Sequence, residues 1–199
     1  YHPMSDYRSD GTCQSLLGGA PVQVRARRKL VDATYYGTSV PSTHTPKFEI
    51  GDGARLVAPN ALPELWKQAD DLPQKFVIIG AGKTGMDVGV WLLSSGADPD
   101  DITWIMPRDS WLLNRHHTQP GHEFFHETIG GQADQLQALA EASDLTDLFH
   151  RLEACGVMMR IHDDVEPTMY HCATLSHGEA DLLRQIATVV RGQRVTAIT

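Results

Sequence analysis

The run Phe76-Val77-Ile78-Ile79-Gly80-Ala81-Gly82-Lys83-Thr84-Gly85 constrains the fold more than any other stretch of the chain. Four apolar residues, rich in β-branched side chains, read as a short strand buried on both faces of a parallel sheet. Gly80 stops the strand. Thr84–Ser95 then reads as a helix, with Met86, Val90 and Leu93 at i, i+4 and i+7. Gly96 stands where a glycine belongs at a helix C-terminus. Ile102–Met106 is a second apolar strand, ended by Pro107. Strand, helix and strand thus fill residues 75–106, the length of a βαβ unit of about 30 residues.

Elsewhere the pattern continues to alternate. Val22–Ala26, Lys29–Thr34 and Arg55–Ala58 read as short strands, and a helical pattern surrounds Leu62, Leu65 and Trp66. Gly37–Pro46 carries two prolines among Ser and Thr and reads as a linker. Gln132–Ala142, Thr146–Ala154 and Glu179–Thr188 read as helices, with Val157–Ile161 and Arg194–Ile198 as strands. The expected class is α/β, a Rossmann-like, doubly wound and mostly parallel sheet.

Gly80-Ala81-Gly82-Lys83-Thr84-Gly85 fits G-x-G-x-x-G in its proper context, after a strand and opening a helix. Gly80 would turn the chain out of the strand. Gly82 would let a pyrophosphate approach bare backbone, and Gly85 would let the helix pack on the strands. The N–H groups and positive dipole end of the helix would face the phosphates. The spacing excludes a Walker loop, which needs G-x-x-x-x-G-K-[ST]. The second strand ends in Met106-Pro107-Arg108-Asp109. An arginine there suits a 2′-phosphate, so NADPH is expected over NADH. Asp109 keeps NADH as the lesser choice, because an acid at that point would take the ribose hydroxyls.

Composition removes other classes. Hydrophobic residues at 41% and charged residues at 21% exclude a disordered chain or a coiled-coil rod. A net charge of −8 argues against a nucleic-acid partner. No apolar run approaches the roughly 18 residues of a membrane span. Three scattered cysteines, Cys13, Cys155 and Cys172, suit a reducing, cytoplasmic setting. The first residue is Tyr rather than Met, which reads as a piece of a longer protein. The expected partners are a dinucleotide and a small-molecule substrate, and a homodimer stays open.

Arg108-x-x-Trp111-x-x-x-Arg115 directly follows the βαβ unit. It resembles the run after the second strand in the NADPH domain of the flavin-containing monooxygenases. Leu30-Val31-Asp32-Ala33-Thr34 and the proline-bearing linker are similar to the crossover from FAD domain to NADPH domain in two-dinucleotide flavoproteins. The likeness covers roughly residues 29–115. It implies an FAD/NAD(P)-dependent oxidoreductase in which hydride passes from NADPH to FAD. On this reading residues 1–45 are part of an FAD-type domain with its crossover linker, and residues 46–199 are the NAD(P)-binding domain. Gly80, Ala81, Gly82, Lys83, Thr84 and Gly85 would hold pyrophosphate, and Arg108 and Arg115 the 2′-phosphate. No side chain is assigned acid–base work.

Two departures narrow the resemblance. Residues 1–74 hold no earlier G-x-G-x-x-G, so FAD is expected in the full-length protein rather than on these 199 residues. Residues 47–74 contain no histidine, whereas monooxygenases carry a His-bearing motif there. A looser flavoprotein relative fits better than a monooxygenase.

Two alternatives remain. His122-Glu123-Phe124-Phe125-His126 matches H-E-x-x-H, which on a helix would place two zinc ligands on one face with a Glu as base. His150 or Glu141 would be the third ligand of such a metallohydrolase. Flanking Pro120, Gly121, Gly130 and Gly131 weigh against a long helix, and the expectation is no metal. The other alternative is a nucleotide-binding module without catalysis.

Overall fold

The structure is a computed structural model that describes residues 7–14, 20–29, 31, 40–67 and 72–199. The chain divides into two compact units, Tyr1–His44 and Thr45–Thr199. In the first, β1 (Thr12–Cys13) pairs antiparallel with β2 (Val22–Gln23). Of the crossover segment Leu30–Thr34, only Val31 lies within the described residues.

The second unit begins with β3 (Glu49–Ile50) and a short helix α1 (Leu62–Lys67). Residues 55–58, expected as a strand, have no regular structure. Next come β4 (Phe76–Ile79), α2 (Lys83–Ser94) and β5 (Ile102–Ile105), close to the expected bounds. They are followed by β6 (Ser110–Asn114), α3 (Phe125–Glu141), α4 (Leu145–Ala154), β7 (Met158–Met159) and β8 (Met169–Leu175). The unit ends with α5 (His177–Leu183), β9 (Thr188–Val190) and β10 (Ala197–Ile198).

β4, β5 and β9 form a parallel sheet in that order, and β10 pairs parallel with β3. A third sheet has β6 between β7 and β8, parallel to β8 and antiparallel to β7. The architecture is α/β with several parallel pairings.

Ile78 is in register with Trp104, and Phe76 with Ile102, so these four share one sheet face. Trp104 and Ile102 are fully buried there. Met86 and Leu92 of α2, Leu183 of α5, Ile186, and Leu112 and Leu175 of the third sheet join the same core. Burying one tryptophan of about 150–250 Å² is worth roughly 4–6 kcal/mol before entropic costs. The buried positions on α2 are Met86, Gly89 and Leu92, a stripe one residue round from the expected Met86, Val90 and Leu93.

β4 is not buried on both faces. Val77 is 59% exposed, because its side chain points to the sheet face opposite Ile78, which borders an open cleft. Val77, Ile79, Ile105 and Val190 line a cleft of about 560 Å³ on the far face. An apolar run identifies a strand, but not how many of its faces meet protein.

Candidate functional site

The Gly80–Gly85 turn joins β4 to α2 at the C-terminal edge of the parallel sheet. Gly80 has φ +116°, a left-handed value that side chains disfavour. Its N–H donates to the Ile105 carbonyl at 3.0 Å, and its own carbonyl accepts from the Trp104 indole at 2.8 Å. A Cβ on Gly85 would sit 2.4 Å from that same carbonyl oxygen. Gly85 therefore sets how closely α2 approaches the turn. Gly82 differs from both. Its backbone is extended, and a Cβ there would meet nothing within 4 Å.

Gly82 is also the N-cap of α2, and it provides no side-chain cap for the first turn. A helix start without a cap leaves N–H groups aimed outward with the positive dipole end behind them. Ala81 packs partly against the core, and Thr84 is exposed.

Lys83 and Arg115, far apart in sequence, meet at one carboxylate. Lys83 Nζ lies 2.6 Å from Asp87 Oδ1 and 3.4 Å from Glu179 Oε1. Arg115 Nη2 lies 3.5 Å from Glu179 Oε1 and donates to the Thr174 carbonyl at 3.3 Å. Glu179 is held by a capping box at the start of α5, where Ser176 N and Oγ donate to its Oε2 at 2.7 and 2.8 Å. Burial pushes the Glu179 carboxyl upward, but the Ser176 hydrogen bonds and the Lys83 and Arg115 charges outweigh it and hold it below the usual range. Sequence reading missed Glu179, although Ser176-x-x-Glu179 is a legible capping signal.

Arg108 and Arg115 are therefore placed differently. Arg108 is exposed, with no hydrogen-bond or ion-pair partner among the described residues. Arg115 stands with Lys83. Trp111, between them in sequence, points into the core. It is 2% exposed, stacks on Phe149 at 5.5 Å, and lies under the Arg160 guanidinium at 4.7 Å.

Asp109 does not face a ligand. It is 8% exposed and takes a two-point ion pair from Arg191, Nε to Oδ2 at 2.7 Å and Nη2 to Oδ1 at 3.3 Å. His162 Nδ1 lies 3.4 Å from Oδ1. The carboxylate that kept NADH open is thus bound to the Arg191 guanidinium.

The H-E-x-x-H match does not lie on one helix. His122 and Glu123 occupy a 3-10 turn over residues 122–124, and His126 lies in α3. Its two suggested third ligands are engaged elsewhere: His150 Nε2 lies 3.2 Å from Glu166, and Glu141 pairs with Arg151 at 2.8 Å. Among the described residues no three His, Cys, Asp or Glu side chains are grouped to hold a metal ion.

Similar proteins occur in mycobacteria. An uncharacterized protein of Mycobacterium bovis and uncharacterized proteins of two Mycobacterium tuberculosis strains are each 44% identical over 198 residues. The match takes in all of this chain but only 36% of each relative, so the chain spans about a third of the length of the curated relatives it matches. No family model matches the chain, and no solved structure matches it.

Proposed function

We propose that this chain is the NADPH-binding portion of a flavin-dependent oxidoreductase, built as a Rossmann-like domain that presents NADPH for hydride transfer to FAD. One observation carries the reading. A bare glycine turn ends a parallel strand, opens a helix with no side-chain cap, and leaves at Gly82 the space a diphosphate would use.

The residues fit the dinucleotide in more than one place. The first-turn N–H groups of Lys83, Thr84 and Gly85 would donate to the diphosphate, with Lys83 and Arg115 adding charge. Arg108, exposed and unpartnered among the described residues, would take the 2′-phosphate. Asp109 is committed to Arg191, which removes the acid that would favour NADH. NADPH supplies the hydride. This chain's part is to bind and orient it, and no side chain here is assigned a proton transfer.

FAD belongs, on this reading, to the longer protein, since residues 1–74 carry no second glycine loop. The resemblance to the flavin-containing monooxygenase superfamily supplies the reaction class. Three free cysteines suit a reducing cytoplasm, and no helix among the described residues is long and apolar enough to cross a membrane.

Amide hydrogen exchange tests the site. NADPH should slow exchange at residues 82–86 more than anywhere else in the chain. Protection confined to other segments, with this turn unaffected, would contradict the assignment.

A further inference from the structure

We propose that Glu179 competes with the dinucleotide diphosphate for Lys83 and Arg115, so that this one carboxylate weakens the binding of NADPH and NADH alike. The inference rests on the cofactor reading above and adds a residue that tunes it.

The geometry supplies the competition. Glu179 Oε1 is the shared partner of a cation in the glycine loop and a cation that follows β6, at 3.4 and 3.5 Å. Both distances are long for ion pairs that also hydrogen-bond, where about 2.7–2.9 Å is usual. The short bonds of Glu179 go instead to Ser176. Its charge is therefore fixed by the α5 cap rather than by the cations, and it stays in place when a second anion arrives. A diphosphate on the α2 N-terminus would meet two cations already shared with an acid, and would be repelled by that acid. Asp87 draws on Lys83 as well, but its side chain is 55% exposed against 23% for Glu179, so water screens it more.

Glu179→Gln isolates the charge. Glutamine serves at the third helical position of a capping box as glutamate does, so α5 keeps its start. Calorimetric titration of the native chain and the variant with NADPH and with NADH should show both cofactors bound roughly three- to tenfold more tightly by the variant. The two factors should agree, because the diphosphate is common to both. Unchanged or weaker binding in the variant would overturn the inference, and would make Glu179 a residue that positions Lys83 and Arg115. Tightening of NADPH alone would overturn it too, by placing Glu179 at the 2′-phosphate. If neither protein binds either dinucleotide, the cofactor reading itself fails and takes this inference with it.

Discussion

Trp104 Nε1 donates to the carbonyl of Gly80 at 2.8 Å, so a fully buried indole on β5 fixes the first glycine of the turn that follows β4. The strand that pairs with β4 thereby also sets the exit angle of its loop. Trp104→Phe keeps most of the ring but removes the donor, leaving the Gly80 carbonyl without its indole partner. The variant should lose about 1–3 kcal/mol of stability, read by urea unfolding. An unchanged midpoint would show that the turn holds its shape without the indole.

Gly82 and Gly85 should separate ligand binding from folding. Gly85→Ala drives a Cβ to 2.4 Å from backbone oxygen, which no side-chain rotation relieves, and should cost about 2–4 kcal/mol. Gly82→Ala meets open space, so thermal unfolding should shift little. Its Cβ would fill the diphosphate cradle, and NADPH affinity should fall by about tenfold or more. Parallel melting and titration of the two variants checks the split.

Asp109 should leave a signature in acid. Burial raises its carboxyl, but His162 and the Arg191 guanidinium lower it further, for a net shift below 3.8. A carboxyl lowered in the folded state stabilises fully above its unfolded value, and loses that contribution as pH falls through the folded one. Asp109→Asn should therefore cost about 1–3 kcal/mol near neutrality and progressively less below about pH 4. Urea unfolding of both proteins at pH 7 and pH 3 measures this. An equal difference at both pH values would show that the pair contributes through shape rather than charge.

The βαβ unit was legible because its signals are local. Phe76–Ile79 and Ile102–Ile105 are contiguous apolar runs, and the glycines between them mark the turn by spacing alone. β6 and β8 gave no such signal. Ser110 and Asn114 put polar groups at both ends of β6, and Asn114 is buried because its amide donates to Gly156 O, 42 residues away. β8 mixes Tyr170, His171, Cys172 and Thr174 with apolar neighbours. Such strands are specified by pairing across the fold, not by propensity. The helix expected over Glu179–Thr188 begins earlier, at the Ser176 cap, and ends before Thr188, which pairs with β5 instead. The site divides in the same way. The glycine turn was readable, whereas the commitment of Asp109 to Arg191, 82 residues on, was not.

The most direct measurement is calorimetric titration of NADPH and NADH into the native chain and Arg108→Ala. NADPH should bind the native chain more tightly than NADH. The substitution should weaken NADPH by about 1–3 kcal/mol and leave NADH unchanged. Equal losses for both cofactors, or no binding of either to the native chain, would contradict the assignment of this turn and this arginine to NADPH.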